Sequence, residues 1–334
     1  MKKLLFILLM AIGVIPASAD RYQSLLSAKH LTVVTADGTT YYYILSTEAS
    51  AMMRMGKERI VVGRDTFNIS DVKSMRLRSL PRFVFDEDST TFGKNYAIDH
   101  GLLALRRSLH VNKWNTLILP VALTGQQIRD AFGEDAMVAE LKSFRQGDNN
   151  VVEFQTLNLN TNEVVMFPNC HYIIRPSRQP DLAEGSTAPN FGTARPKGPL
   201  YLIPNVSLEK NQSPKIVITR SEDETRKVYQ QGTYTVRDDS RKLNAGIYYL
   251  SENGCFTIAE EPITTKAFTS WISVSSDDTA PLSFIIDGIN EDLTGIFQVE
   301  RDNTNADIYD LQGRKVRTPQ HGLYLVNGKK VIIK

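Results

Sequence analysis

The chain has few of the features that mark nucleic-acid-binding proteins and membrane proteins. Its 39 Lys and Arg nearly balance its 37 Asp and Glu, and no long apolar run follows the first 15 residues. A near-neutral chain offers neither the positive groove that nucleic acid requires nor a polybasic patch for a membrane surface. We therefore expect no nucleic-acid partner and no membrane span in the mature protein.

Motifs of familiar catalytic sites are also missing. The sequence has no Gly-x-Ser-x-Gly elbow, no His-Glu-x-x-His, no phosphate-binding loop and no dinucleotide fingerprint. Acidic clusters occur at residues 86–88, 238–239, 260–261 and 277–278. A glycosidase needs two carboxyl groups across a cleft, whereas neighbouring acids on a strand point to opposite faces. We predict no catalytic residues, no metal site and no cofactor, with a secreted hydrolase of the glycosidase type as the alternative.

The first 19 residues have the pattern of a secretory signal peptide. Lys2 and Lys3 precede an apolar run at residues 4–15, and Ala17 and Ala19 supply the small residues of a cleavage site. No cysteine stands directly after this site, so a lipid anchor is not expected. Without its two leading lysines the chain has 37 charges of each sign. These features predict a secreted or cell-surface protein, with the periplasm as the alternative location.

Strand patterns far outnumber helix patterns in the rest of the chain. Short runs rich in Val, Ile, Tyr and Thr are separated by Asp-Gly, Asn-Gly and other turn pairs. This spacing predicts an all-β fold of the sandwich type. We divide the chain into a signal peptide (1–19), a small N-terminal antiparallel meander (20–79), a central β-sandwich (80–295) and a C-terminal segment of β-hairpins (296–334).

One short helix is predicted in the central domain. Thr124 and Gln127 have the spacing of a capping box, and Gly133 is placed to end the helix. Residues 113–120 before it predict a buried strand, with Trp114 in the core. Residues 102–109 are ambiguous, because their composition favours helix while Leu, Leu and Arg alternate at 103, 105 and 107; we interpret them as a strand.

The last 28 residues read DIYDLQGRKVRTPQHGLYLVNGKKVIIK and predict two hairpins. Their turns fall at Gln312-Gly313 and Asn327-Gly328, and Asn-Gly between apolar runs is a strong hairpin signal. This segment resembles the C-terminal segment of exported Bacteroidota proteins, which is related to the Por-type (type IX) secretion sorting domain. The resemblance implies recognition by an export machinery, and the alternative is that the hairpins only close the last β-sheet.

The central domain also resembles a family. A strand of the form Trp-Asn-Thr-Leu-x-Leu-Pro occupies residues 114–120, and related segments follow at 172–176, 232–234, 245–250 and 266–268. The pattern is similar to an uncharacterised β-sandwich of exported Bacteroidota proteins. The resemblance implies that the segments before and after residues 177–199 belong to one sheet system, and it implies no catalytic residues.

Residues 177–199 form a long connection with four prolines and three glycines. Loops of this length are often functional or disordered, and we expect a mobile, solvated loop with ligand contact as the alternative. Exposed aromatic residues of β-sandwiches often contact ligands. The candidate ligand-binding residues are Phe191, Arg178, Arg195, Trp271, Tyr248 and Tyr249, with a place in the core as the alternative for the four aromatic residues. They fit a non-catalytic module that binds extracellular glycan or protein, or that has a structural role at the surface.

The only two cysteines are Cys170 and Cys255. Both lie on predicted strands of the central domain, and export would permit a disulfide between them. The sequence does not show whether their Cα atoms come within bridging distance. A disulfide therefore stays open at this stage.

Overall fold

The computed structural model describes residues 17–45, 53–93, 97–146, 150–188, 191, 195–221, 226–275, 282–288, 291–293, 308–309, 316, 322–326 and 329–333. The chain divides into two compact units, Met1–Thr294 and Gly295–Lys334. The predicted N-terminal module and central domain belong to the same unit. The predicted signal peptide lies outside the described residues up to position 16.

The described residues confirm an all-β fold with two helices. The helices are α1 (Ala17–Ser27) and α2 (Gly125–Phe132), and a 3-10 turn spans Ile69–Asp71. The strands are β1 (Lys29–Thr35), β2 (Thr40–Leu45), β3 (Met53–Met55), β4 (Arg59–Val62), β5 (Asp65–Asn68), β6 (Val72–Ser79), β7 (Arg82–Asp86), β8 (Ile98–Arg106), β9 (Asn115–Ile118), β10 (Leu123–Thr124), β11 (Met137–Arg145), β12 (Asn150–Thr156), β13 (Val164–Met166), β14 (His171–Arg175), β15 (Leu200–Leu208), β16 (Val217–Arg220), β17 (Lys227–Thr233), β18 (Tyr248–Leu250), β19 (Phe256–Ile258), β20 (Thr269–Val274), β21 (Leu282–Ile286), β22 (Glu291–Asp292), β23 (Ile308–Tyr309), β24 (Gly322–Val326) and β25 (Lys329–Ile333).

The N-terminal strands form two small antiparallel sheets, ordered β2-β1-β6 and β3-β4-β5. Leu31 and Val33 of β1 pack with Ile60 and Val62 of β4 and with Phe67 of β5. Alternate residues of a strand point to one face, so a two-residue spacing is enough to build this small core. The predicted meander is therefore two facing sheets.

Helix α1 was not predicted from the sequence. It covers the expected cleavage site, and it is followed by Ala28 at the start of the meander. Leu25 and Ala28 are buried in a cluster with Leu200 and Leu202 of β15. The Arg21 guanidinium donates to Asp181 Oδ1 at 2.6 Å. The residues that α1 contacts are far from it in sequence, so local sequence patterns do not reveal the helix.

The central domain is built around a six-stranded sheet, ordered β22-β21-β12-β11-β14-β9. One face packs on the sheet β15-β8-β7 and on α2, and the other face packs on the sheet β16-β17-β20-β18-β19. β14 shows both interfaces, because Tyr172 and Ile174 belong to the first core and Ile173 belongs to the second. The predicted sandwich thus has three stacked sheets.

Helix α2 confirms the predicted capping box. Gln127 N–H donates to Thr124 Oγ1 at 3.1 Å, and Thr124 N–H donates to Gln127 Oε1 at 2.9 Å. Gly133 ends the helix with a φ of 112°, and a Cβ there would lie 2.1 Å from Ser177 Oγ. Ile128 is fully buried, so the helix covers one end of the first core. β8 likewise confirms the strand interpretation of its segment.

The described part of residues 177–199 is anchored at several points, so the expectation of a mobile loop is wrong for that part. Leu182 and Leu200 exchange two backbone hydrogen bonds, and Ala188 N–H donates to Pro196 O at 2.9 Å. Phe191 is 3% exposed and packs with the α1 cluster. The loop covers the outer face of the β15-β8-β7 sheet, and that burial fixes it.

The C-terminal unit contains an antiparallel sheet ordered β23-β24-β25. β24 and β25 form the predicted second hairpin, with Val326 opposite Lys329. Ile308 and Tyr309 of β23 pair with Val326 and Leu325 of β24. Both predicted turns, at 312–313 and 327–328, lie outside the described residues.

Candidate binding groove

A cavity of about 520 Å³ opens on the outer face of the β16-β17-β20-β18-β19 sheet. We call it the Trp271 cavity; its walls include Tyr249, Trp271, Leu243, Ile263 and Ser270. Its volume lies within the range of about 300 to 1,000 Å³ that small-molecule sites occupy. The cavity therefore has the size of a ligand site.

The aromatic wall of this cavity follows from strand alternation. Trp271 is 7% exposed, packs with Leu243 and Ala259, and donates from Nε1 to Gln231 Oε1 at 3.2 Å. Tyr249 is half-buried against the same cluster. Both residues also line the cavity. These two candidate residues are the ones that the structure brings together.

Tyr248 lies on the opposite face from Tyr249, because successive side chains of a strand alternate. It is 7% exposed, it packs in the second core, and its hydroxyl accepts from Leu282 N–H at 3.1 Å. The prediction of Tyr248 as a ligand contact is therefore wrong. Trp114 is 2% exposed in the same core, as predicted.

A second cavity of about 360 Å³ adjoins the first. We call it the Arg107 cavity; Glu87, Arg107, His110, Asn115 and Glu252 are among the residues that line it. Its other walls are shared with the Trp271 cavity through Thr116, Leu250, Thr264, Thr265 and Thr269. We refer to the two adjoining cavities together as the groove.

A buried ion pair forms the floor of the Arg107 cavity. Arg107 Nη1 lies 3.3 Å from Glu87 Oε2, and Arg107 Nη2 donates to Thr269 Oγ1 at 2.9 Å. The Glu87 carboxylate also accepts from the backbone N–H and the hydroxyl of Ser108, both at 2.7 Å. A buried charge pair keeps its position when hydrogen bonds satisfy most of its remaining atoms, and here only Arg107 Nε has no partner among the described residues. This network therefore holds β8, β9 and β20 together beneath the groove.

Two further lysines of the groove are also paired, while Glu252 is exposed. Asp239 Oδ1 lies 3.0 Å from Lys242 Nζ in the Trp271 cavity. Lys266 of the Arg107 cavity pairs with Asp88, and this hydrogen bond together with that of Arg106 lowers the pKa of the Asp88 carboxyl. The walls between these pairs carry hydroxyl groups of threonine and serine. The groove thus offers many neutral hydrogen-bonding groups and little net charge.

The other candidate residues from the sequence do not line the groove. Phe191 belongs to the core beside α1, where the Arg82 guanidinium lies 5.7 Å from its ring centre, so its prediction as a ligand contact is wrong. Arg178 donates from Nη2 to the buried Asp181 carboxylate at 2.9 Å. Arg195 is exposed. The ion pair between Arg178 and Asp181 therefore anchors the loop.

Sequence reasoning missed Arg107 as a member of the site. It alternates with Leu103 and Leu105, which are both fully buried. A charged residue in phase with buried leucines marks a polar group turned toward the interior, where it requires a partner. The sequence contains this pattern for Arg107. It contains no comparable pattern for its partner Glu87, because Glu87 lies in an acidic run that is typical of a solvated turn.

Cys170 and Cys255 are thiols in the structure, and no disulfide joins these two described residues. Asn169, the residue before Cys170, donates from its backbone N–H to Leu119 O at 2.8 Å. Leu119 directly follows the last residue of β9. Gly254, the residue before Cys255, is so close to Trp114 that a Cβ on it would lie 2.9 Å from Trp114 N. Trp114 directly precedes the first residue of β9. These two ends of the strand are about 17 Å apart, beyond the roughly 7 Å that a disulfide spans between Cα atoms.

Within the described ranges, no group of three or more His, Cys, Asp and Glu side chains has the arrangement of a metal site. No helix among the same residues is long and apolar enough to span a membrane. The chain matches no known family, and no curated protein or solved structure matches it significantly.

Proposed function

We propose that this chain is an exported, non-catalytic β-sandwich protein that binds extracellular glycan in the groove. The observation that carries the proposal is the pairing of Tyr249 and Trp271 with a hydroxyl-rich, charge-balanced wall. The apolar faces of sugar rings pack on aromatic side chains, and their hydroxyl groups need many donors and acceptors. A neutral sugar fits such a wall better than a strongly charged ligand does.

Export is supported by the two ends of the sequence. The first 19 residues have the basic start, apolar run and small-residue cleavage site of a secretory signal. The last 28 residues resemble the sorting segments of exported Bacteroidota proteins. We assign the protein to the cell surface or the medium, where its partners are glycans, with the export machinery as a partner of the C-terminal segment.

A secreted hydrolase is the alternative, and one observation favours it. Glu87 and Glu252 both line the Arg107 cavity, and a glycosidase requires two carboxyl groups. However, both carboxylate oxygens of Glu87 already accept hydrogen bonds from Arg107 or Ser108. A catalytic carboxyl group must contact the substrate, so binding without turnover is the better proposal.

The test is a glycan array run beside a hydrolase screen on the purified full-length product. We expect saturable binding to a neutral glycan and no turnover. Tyr249→Ala removes the half-buried ring from the Trp271 cavity and is expected to weaken binding about tenfold. Tyr41→Ala is the control, because Tyr41 is 37% exposed and belongs to the N-terminal sheet.

Two results would overturn the proposal. One is turnover of a polysaccharide that is lost when Glu252 is replaced by Gln. The other is equal binding by Tyr249→Ala and the wild type, which would place the ligand outside the groove.

A further inference from the structure

A third cavity of about 380 Å³ continues the groove on the side away from Trp271. We call it the Tyr201 cavity; its walls include Tyr201, Asp181, Glu184 and Gln179. It shares Ser108 and His110 with the Arg107 cavity, which in turn shares its threonine wall with the Trp271 cavity. The three cavities therefore follow one another along one side of the central domain.

Hydrogen bonds and ring packing fix the wall of the Tyr201 cavity. The Asp181 side chain is fully buried, and its carboxylate accepts hydrogen bonds from Arg21, Arg178 and the backbone N–H of Leu202. The Tyr201 ring packs against that of Phe132 of α2 in a tilted arrangement, with ring centres 5.0 Å apart. The cavity is thus preformed, because its two sides are fixed by α1, α2 and β15.

Tyr201 lines this cavity and has an unpartnered polar group. The residue is 1% exposed, and its buried hydroxyl has no hydrogen-bond partner among the described residues. Nearly all buried polar groups are hydrogen-bonded, so an unpartnered hydroxyl on a residue that lines a cavity indicates a missing partner. Burial raises the pKa of Tyr201, which keeps the hydroxyl protonated and able both to donate and to accept.

We propose that the three cavities are consecutive subsites for one linear, neutral oligosaccharide, and that the Tyr201 hydroxyl hydrogen-bonds to the sugar in the third. This inference rests on the proposed function and adds a ligand length and a direct contact to it. A linear chain of sugar units fits a row of adjoining cavities, since each unit occupies one of them. The long loop at 177–199 then forms a wall of the third subsite.

An extended peptide fits the same row less well. Peptides commonly bind to sheet proteins by adding a strand to a free edge. The edge strand at this place is β9, and its free side is already used: Thr116 O accepts from Arg107, and Ile118 N–H donates to Phe268 O. The cationic groups of the walls, Arg107, Lys242 and Lys266, are each paired with a carboxylate. The geometry and the charge therefore favour a neutral sugar chain.

The test compares ligand lengths. Calorimetric titration of the full-length product with cello-, laminari- and manno-oligosaccharides of about two to about six units measures affinity against length. We expect at least one series to gain tenfold or more in affinity between its shortest and longest members. Tyr201→Phe is expected to weaken binding of the longest member about tenfold and to leave the shortest unchanged.

A matched variant controls for the loss of a buried phenol group. Tyr234 is 3% exposed, and its hydroxyl donates to Asn169 Oδ1 at 2.6 Å, away from the three cavities. Tyr234→Phe is expected to lower the melting temperature without changing the length dependence. Tyr201→Phe is expected to melt at or above the wild-type temperature, because its hydroxyl has no partner to lose.

The outcomes separate this inference from the proposed function. Wild-type binding that does not increase with length, or that Tyr201→Phe leaves unchanged at every length, overturns the three-subsite inference while the groove remains a glycan site. Binding of an extended peptide with no binding of any sugar on the array or in the series overturns both.

Discussion

His171 is a buried titratable residue of the central domain with one hydrogen-bond partner for its ring. His171 on β14 is 3% exposed, and its Nε2 atom lies 2.5 Å from Lys215 O. Since a carbonyl only accepts, Nε2 carries the proton and Nδ1 is bare, and Nδ1 has no partner among the described residues. Burial lowers the pKa of His171, and the hydrogen bond to Lys215 opposes this effect only in part.

The lowered pKa of His171 predicts a loss of stability in mild acid. The unfolded residue titrates near 6.5, so its stabilising effect is complete above that pH and is lost as the pH falls through the lower folded-state pKa. His171→Gln keeps an N–H near the Nε2 position and does not titrate. We expect the melting temperature of this variant to fall less between about pH 7 and about pH 5 than that of the wild type.

An exposed histidine supplies the control for this prediction. His110 is exposed in the wall of the Arg107 cavity, and His110→Gln measured beside His171→Gln separates the buried position from an exposed one. Parallel curves for His171→Gln and the wild type would show that His171 does not contribute to the acid sensitivity.

Some site residues were predictable and others were not, for reasons that lie in strand geometry. Tyr248 and Tyr249 are neighbours on β18, so one had to face the core and one the outside. The sequence predicted both as candidates because it does not show which face is covered. Trp271 lines the groove only because residues 239–243 and 262–265 fold over the sheet, and that arrangement depends on long-range pairing such as Leu243 with Ile263.

At the scale of elements, α2 is the part that its local sequence specifies most completely. Besides the reciprocal capping bonds, Gln127 Nε2 donates to Pro204 O and Asn205 O, both at 2.9 Å, and so ties the helix start to β15. Thr124→Ala removes the side-chain acceptor for the Gln127 N–H. We expect the free energy of unfolding to fall by about 1 kcal/mol, as measured by urea denaturation.

A threonine outside any cap is the control for this measurement. Thr264 is exposed in the groove wall, and Thr264→Ala is expected to change the free energy of unfolding by less than about 0.5 kcal/mol. Equal effects of the two substitutions would show that the capping box does not stabilise α2 specifically.

The two elements that the sequence did not predict share one cause. Helix α1 is held by Arg21 and Leu25 against β15 and the loop at 177–199, and that loop is held in turn by Leu182 and Leu200. Neither segment has a periodic apolar pattern of its own. The defined conformation of both segments comes from contacts between residues far apart in sequence, which helix propensity and local patterns do not encode.

At the scale of the whole molecule, the strand order of the central domain was beyond sequence reasoning. β12 and β21 are parallel neighbours in the six-stranded sheet, although more than a hundred residues separate them. The fold class follows from alternation and turn residues, which act locally. The stacking of three sheets depends on which alternate faces meet, and both faces of β14 are apolar, so the pattern alone does not choose between partners.

The division into two units predicts the effect of removing the C-terminal segment. β23, β24 and β25 pair only with one another among the described strands, and the first unit ends at Thr294. A chain truncated after Thr294 is therefore expected to keep the melting temperature and the glycan affinity of the full-length protein. If the segment sorts the protein as proposed, the truncated chain should instead lose its surface location, as shown by fractionation and external protease.

A slightly longer truncation is the matched control. Leu293 is 2% exposed in the second core, its N–H donates to Phe284 O at 2.8 Å, and its carbonyl accepts from Phe256 N–H at 2.8 Å. Truncation before Glu291 removes this anchor and β22, and it is expected to lower the melting temperature. If truncation after Thr294 lowers the melting temperature as much while export is unchanged, the C-terminal strands stabilise the fold and do not sort the protein.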